Sequence, residues 1–360
     1  VTPLHSRPAA LHGLGPNERV YAHGFSLRKR GLLRRFLGDL DIAFVRRAAH
    51  VPQGGTLLLW GSRTPPAGMK DGVAVVRVED GFLRSVGLGA DLVEPLSWVI
   101  DRRGIYYDAT RSSDLEHLLQ TEPFNPALLE RARRLRERIV AAGLTKYNVG
   151  RETCGVARAR DTRRILLVPG QVESDASIRH GAPGVRTNLG LLSAVRAANP
   201  DACLVYKPHP DVVAGLRPPS RDEASARHWC DIVLTDADMG ALLMQVDEVH
   251  TLTSLAGFEA LLRGRPVTCY GQPFYAGWGL TTDVLPIGRR VRRLTLDALV
   301  AGALIHYPTY VSRATGAFIT PEQALDELLA WRGADAQRLA WHRRGWRALV
   351  RGSLLLRRNA

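Results

Sequence analysis

The chain has 360 residues, 45% of them hydrophobic and 23% charged, with a formal charge of +14 at pH 7. That length suits two domains, each able to bury its own core, and the composition is that of a globular protein. No apolar run approaches the roughly 20 residues that a helix needs to cross a bilayer, and the four scattered cysteines (Cys154, Cys203, Cys230, Cys269) have no CxxC spacing. We therefore expect neither a zinc site nor a disulfide framework, and a cytoplasmic setting. The excess charge fits an arginine-rich proteome, an anionic substrate, an anionic membrane surface or nucleic acid.

The first half reads as α/β. Residues 19–22 form a short strand, 27–37 a basic amphipathic helix, and 55–61 and 73–78 are apolar runs of strand length. Residues 98–101 and 105–108 resemble a hairpin turning at Arg103-Gly104. Helices follow at 114–119 and 126–142, the second with Asn125 as cap and Pro126 at its first position. The polar segment 143–162 reads as an interdomain linker.

A second α/β block begins with the strand at 164–168. It continues with a helix at 187–198, a strand at 202–206, a helix at 221–228 and strands at 231–234 and 248–251. A helix at 254–263 and a strand at 266–270 complete it. Alternating strands and helices predict parallel sheets covered on both faces. The predicted fold class is α/β and GT-B-like: two Rossmann-like domains facing a cleft, followed by C-terminal helices at 321–332 and 336–356. The predicted boundaries are 1–150, 151–310 and 311–360.

In open α/β sheets ligands gather at the carboxyl ends of strands, and unusual polar residues fall there. Glu79 and Asp80 precede Gly81 at one strand end, where they suit an acid or base or merely an Asp-Gly turn. Gln171, Glu173 and Asp175 follow the first strand of the second block. If that loop is extended, Glu173 and Asp175 share a face. A carboxylate there can attack an anomeric carbon, act as a base, or cap a helix.

Lys207-Pro208-His209-Pro210 is a rigid loop whose lysine and histidine can meet a phosphate. Ser254 opens a helix whose free N–H groups favour an anion, and Glu259 lies about a turn and a half further on, within reach of a ribose diol. The segment 271–283 combines Gly271, Gly277 and Gly279 with Phe274, Tyr275 and Trp278. It reads as a backbone close to a ligand with stacking walls, or as an aromatic-packed structural loop. Asp236-Ala-Asp238 is a DxD pair, but the apolar run behind it favours a helix cap. We expect metal independence and no cofactor.

Together these segments resemble the retaining β-Kdo glycosyltransferases of capsule polysaccharide synthesis, Kdo being 3-deoxy-D-manno-oct-2-ulosonic acid. The matching stretches are Glu79-Asp-Gly-Phe-Leu-Arg-Ser-Val-Gly-Leu-Gly89, Ile105-Tyr-Tyr-Asp108, Gly170-Gln-Val-Glu-Ser-Asp-Ala-Ser177, Lys207-Pro-His-Pro210, 254–266 and Pro273-Phe-Tyr-Ala-Gly-Trp-Gly-Leu-Thr281. One departure is Ser174, where the resemblance leads us to expect a third acidic residue. The resemblance implies transfer of Kdo from CMP-β-Kdo to a β-Kdo-terminated acceptor linked to phosphatidylglycerol, with the β configuration retained. It favours a β-(2→7) over a β-(2→4) linkage. Members often carry two such modules, and each motif occurs once in this chain, which also lacks an initial Met. We therefore expect an isolated module, similar to the C-terminal one, with a companion module or capsule assembly proteins as partners.

Retention most simply takes two displacements through a covalent Kdo-enzyme. The expected nucleophile is Asp175, with Glu173 second, and Glu79 or Asp80 is the base for the acceptor hydroxyl. Lys207, His209 and Ser254 are expected to hold the CMP phosphate and Glu259 the ribose, with Gln171, Tyr275 and Trp278 lining the site. Arg84 or Arg179 is expected to pair with the Kdo carboxylate. The basic, Trp- and Leu-bearing segment 337–360 suits either an anionic bilayer or docking back onto the protein, so the expected place is cytoplasmic and peripheral to the inner membrane. The alternatives are a sugar-nucleotide epimerase of the same architecture, a non-catalytic glycan- or lipid-binding module, and a nucleic-acid binder. The last is disfavoured because the basic residues are dispersed and no recognised motif is present.

Overall fold

The computed structural model describes residues 14–15, 18–86, 93–146, 163–217 and 223–335. The chain divides into two units. One comprises Val1–Arg84, Pro95–Leu135 and Asp297–Glu327, and the other Ser85–Glu94, Arg136–Leu296 and Leu328–Ala360. In chain order the elements are β1 (Arg19–His23), α1 (Leu27–Leu37), β2 (Asp41–Val45), β3 (Thr56–Trp60), β4 (Ala74–Asp80), β5 (Ser97–Asp101), α2 (Asp114–Thr121) and α3 (Pro126–Ala141). Then come β6 (Ile165–Pro169), α4 (Ala176–Gly181), α5 (Asn188–Ala198), β7 (Cys203–Lys207), α6 (Pro210–Val213), β8 (Ile232–Val233), α7 (Met239–Gln245), β9 (Glu248–Thr251), α8 (Leu255–Leu262), β10 (Val267–Cys269) and β11 (Thr282–Asp283). The last are α9 (Leu296–Val300), a π-helical turn at Ala301–His306, β12 (Pro308–Val311), β13 (Phe318–Ile319) and α10 (Pro321–Asp335).

The sheet of the first unit runs β13-β12-β5-β4-β3-β1-β2. Its strands β4, β3, β1 and β2 are parallel neighbours, whereas β5, β12 and β13 join antiparallel. The apolar run of β3 is buried because it lies inside the sheet. Ser26 caps α1 by accepting from the Lys29 N–H, and the helix buries Leu32, Leu33, Phe36 and Leu37. That stripe packs with Val20, Leu58 and Trp98 in one core, where Phe36 and Trp98 stack with ring centroids 4.6 Å apart.

Two expectations are corrected here. Residues 105–108 are a turn closed by Asp108 N–H to the Ile105 carbonyl (2.9 Å), not the second strand of a hairpin. The physical reason is Asp101. Its buried carboxylate accepts from the Arg103 and Gly104 N–H groups (3.0 and 2.7 Å), which turns the chain away from β5. The vacated edge of β5 is taken by β12, with Pro308 opposite Val99 and Tyr310 opposite Ser97. The segment Asp297–Glu327 accordingly belongs with the first unit, although the sequence reading put residues up to 310 with the second. The predicted helix at 336–356 and most of the predicted linker lie outside the described residues.

The second unit has a six-stranded, all-parallel sheet in the order β11-β10-β9-β6-β7-β8. Strands β6 and β7 are buried along their whole length, which explains their unbroken apolar sequences. Chain order reverses between β6 and β9. Such a switch point opens a crevice at the carboxyl ends of the two strands.

Asp101 also accepts from the Asp114 N–H (2.9 Å) and the Tyr307 hydroxyl (2.7 Å). Removing a fully buried acceptor strands four donors at once. Asp101→Ala should therefore destabilise the fold by about 3–5 kcal/mol and Tyr307→Phe by only about 1 kcal/mol. Thermal or urea unfolding followed by circular dichroism checks the order.

Candidate functional site

The loop after β6 is held by its own polar side chains. The Gln171 N–H donates to Asn188 Oδ1 (2.9 Å), and Asn188 Nδ2 donates back to the Gln171 carbonyl (2.9 Å). Gln171 Nε2 donates to Thr253 Oγ1 (3.0 Å) while its Oε1 accepts from the Thr253 N–H (2.9 Å). The amide thus bridges the strand ends on either side of the switch point. This corrects its expected role: Gln171 shapes the crevice, and its amide is already bonded on both atoms.

Glu173 and Asp175 have different tasks. Glu173 accepts from the Asn188 N–H (2.7 Å) and so satisfies the first turn of α5. Asp175 occupies the N-cap position of α4, yet its side chain makes no capping bond. Its carboxylate has no hydrogen bond among the described residues. Burial pushes its pKa up, and Arg217 and Lys146 pull it back.

The same two cations act on His209. Burial and then Lys146, Arg217 and Lys207 lower its pKa to about 4, so the ring is neutral at pH 7. Its Nδ1 accepts from the Asp211 N–H (3.2 Å). A neutral imidazole accepting at Nδ1 carries its proton on Nε2, which is then a donor. Lys207 ends β7 with only 6% exposure, and its carbonyl accepts from the Gly170 N–H (2.8 Å). A Cβ at Gly170 would meet Tyr206 Oη at 2.7 Å and Pro208 Cα at 3.1 Å. Only glycine lets the two loops approach this closely. Lys146 and Arg217 carry no sequence signal, because one lies in the polar segment 143–162 and the other in an irregular loop. Arg179 lies exposed on α4, with no ion pair among the described residues.

Ser254 caps α8, its Oγ accepting from the Ala256 N–H (3.2 Å). Glu259 is buried in that helix, where one oxygen accepts from the Lys146 N–H (2.7 Å) and the other makes no hydrogen bond among the described residues. Burial raises its pKa to about 7. Glu259 therefore also ties down the backbone of Lys146. Asp238 of the DxD pair accepts from the Ala241 N–H (2.8 Å) as the cap of α7.

The Gly/aromatic loop is corrected to a scaffold. Tyr275 and Trp278 are both 0% exposed, so neither ring has a face for a ligand. Trp278 Nε1 donates to the Phe274 carbonyl (2.8 Å), and Arg290 covers the Trp278 ring at 5.6 Å. The Tyr275 hydroxyl donates to the Ser254 carbonyl and fills the space that a side chain at Gly257 would need. The loop fixes the N-terminus of α8 from behind.

In the first unit, Asp80 accepts from Arg84 Nε (2.7 Å) and Trp98 Nε1 (3.1 Å). Arg84 is 6% exposed and is paired with the protein's own carboxylate, which corrects its expected pairing with a substrate. Glu79 accepts from the Asp80 N–H (3.0 Å) and lies 3.5 Å from the Tyr107 hydroxyl. A Cβ at Gly61 would meet that Glu79 oxygen at 2.9 Å and the Tyr107 hydroxyl at 2.7 Å. The first unit thus holds two carboxylates at the end of β4, each bound on both oxygens, with Asp80 paired to Arg84.

Comparison with known proteins agrees with this organisation. The model of the capsule polysaccharide biosynthesis protein family matches residues 56–318. The capsule polysaccharide modification protein LipA of Neisseria meningitidis serogroup B is 42% identical over 334 residues, covering 90% of this chain and 47% of that protein. The chain therefore spans about half the length of that relative. Among solved structures, the β-Kdo 2,7 transferase of Thermosulfurimonas dismutans KpsC superposes with a TM-score of 0.73 at 41% identity, over 88% of this chain and 100% of that one. The β-Kdo 2,4 transferase of the same protein gives 0.75 at 31% identity, over 88% and 99%. With a parallel switch-point sheet, a bare aspartate beside two cations, and a family match across both units, this chain belongs to the capsule polysaccharide biosynthesis protein family.

Proposed function

We propose that this chain is a retaining Kdo transferase module that moves Kdo from CMP-β-Kdo to a β-Kdo-terminated, lipid-linked acceptor in capsule synthesis. The observation that carries the reading is Asp175: a half-buried carboxylate at a switch point, without a hydrogen bond among the described residues, beside Lys146 and Arg217, the two cations that also act on a neutral His209. The likeness to two solved Kdo transferases supports the substrate. The higher identity to the 2,7 enzyme supports a β-(2→7) product. The greater length of the relative supports a companion module. The lipid acceptor places the work at the cytoplasmic face of the inner membrane.

In the first step Asp175 attacks C2 of Kdo, the bond from C2 to the phosphate oxygen breaks, and CMP leaves with the electron pair. Lys146, Lys207 and Arg217 oppose the growing phosphate charge, and His209 Nε2–H donates to it. The N-terminus of α8 with Ser254 adds backbone donors, and the second oxygen of Glu259 faces the ribose hydroxyls. Arg179 is the remaining candidate for the Kdo carboxylate. In the second step the acceptor hydroxyl attacks C2 and releases Asp175, giving net retention. Of the first unit's carboxylates, Glu79 is the candidate base for the acceptor hydroxyl, because Asp80 is held in an ion pair with Arg84. No step calls on a metal or cofactor. An epimerase reading requires donor conversion without acceptor, which the same assay scores.

Purified protein given CMP-Kdo and a synthetic β-Kdo acceptor should yield a product one Kdo heavier, with a β linkage by NMR. Asp175→Asn should slow transfer at least about a thousandfold without lowering thermal stability, whereas Glu173→Gln, which can still accept from Asn188, should keep most activity. Near wild-type turnover by Asp175→Asn would exclude it as the nucleophile. Lys146→Ala and Arg217→Ala should each slow transfer by about 10- to 100-fold. Both cations lower the Asp175 pKa, so their loss raises it and the acidic limb of the pH–rate profile moves to higher pH. A profile that does not move would separate these cations from Asp175.

A further inference from the structure

The first unit carries a charged cluster that the mechanism above uses only in part. It lies at the carboxyl ends of β1, β3 and β4, where this sheet too reverses its chain order. Lys29, in the first turn of α1, places its Nζ 3.0 Å from the centroid of the Trp60 ring. Trp60 is itself wedged edge-on against Phe25 (6.3 Å) and Trp98 (5.1 Å), so the ring is a fixed platform. Arg63 reaches back across the reversal and donates to the Gly24 carbonyl (2.6 Å). A Cβ at Gly24 would meet that guanidinium at 2.7 Å.

Lys29 is half-buried and forms no ion pair within 4 Å among the described residues; burial lowers its pKa to about 8, while Glu79 and Asp80 lie near enough to stabilise its charge and Arg63 and Arg84 near enough to oppose it. Helix stability does not explain the position, because the dipole disfavours a cation in the first turn and α1 has no acid there to offset it. An aromatic face holds an ammonium without neutralising it and leaves donors on the outer side for an anion. Arg84 already answers Asp80. Among the described residues that act on one another here, the cations Lys29, Arg63 and Arg84 outnumber the acids Glu79 and Asp80, so the cluster favours an anion beside a candidate base.

We infer that Lys29, fixed on Trp60 and assisted by Arg63, anchors the carboxylate of an acidic acceptor sugar and so presents that sugar's hydroxyl to Glu79. This assigns the acceptor subsite within the first unit and rests on the transferase reading for the identity of the sugar. In this role Lys29 is a specificity and positioning residue. An acceptor without the negative charge should be a poor one because the anchor has nothing to hold.

The test compares the methyl β-glycoside of Kdo with its uncharged methyl ester, using wild type, Lys29→Gln, Lys29→Arg and Arg63→Ala. Direct binding is read by saturation-transfer NMR titration without donor, and acceptor KM by transfer assay. Wild type should favour the acid over the ester by about 10- to 100-fold, the range of a charge-assisted contact. Lys29→Gln should abolish that preference and raise acceptor KM with donor KM unchanged, Lys29→Arg should restore part of it, and Arg63→Ala should weaken it. A wild type that binds acid and ester alike, or binds neither, overturns the subsite. So does a Lys29→Gln protein, still folded by circular dichroism, that keeps the preference. If Kdo transfer proceeds while the preference is absent, the subsite fails and the transferase reading stands. Should the acid preference depend on Lys29 in a protein that never consumes CMP-Kdo, the transferase reading fails and the acid-sugar site stands.

Discussion

The geometry around Asp175 depends on one buried amide. Gln171 uses its backbone N–H and C=O on Asn188 and both side-chain atoms on Thr253, and it is only 8% exposed. Every polar group is matched, so the loop has one low-energy arrangement and any other strands a buried donor or acceptor. Asp175 inherits its position from that lock, because it lies four residues beyond Gln171 in the same loop. Asn188 in turn is held by Glu173. A carboxylate with no hydrogen bond among the described residues is thus kept in place by neighbours that are themselves hydrogen-bonded. That arrangement leaves the proposed nucleophile both ordered and available.

Much of the second unit was legible in the chain because parallel strands buried on both faces must be apolar throughout. The runs of β6 and β7 are such strands, and the polar residues directly behind them fall where ligands gather. Strand order was not legible. Nothing in residues 308–311 says which sheet edge they join, since a ladder is specified by the partner that lies open to it. The Ile-Tyr-Tyr run at 105–107 has strand composition, yet two backbone N–H groups bound to Asp101 decide its path.

Residue type alone specifies the candidate site only in part. Glycines beside aromatics describe a ligand wall and a packed core equally well, and burial, a property of the whole fold, assigned Tyr275 and Trp278 to the core. Lys146 and Arg217 carry no local signal. They matter because an acid and an imidazole from other segments meet them, and that meeting exists only in three dimensions. Lys29 was hidden among five basic residues of one helix, and what distinguishes it is the indole beneath it.

The antiparallel pairing of β12 with β5 has a consequence for how this molecule can be divided. The strand that flanks Ser97, Trp98 and Val99 arrives from the far side of the second unit in sequence. A chain stopped before residue 297 would leave β5 with a row of backbone donors and acceptors turned to water. An open, apolar strand of that kind is a template for pairing with any other extended chain. The first unit is thus not a contiguous fragment that can be expressed alone, and truncations meant to isolate it would be expected to aggregate before they reported on its chemistry.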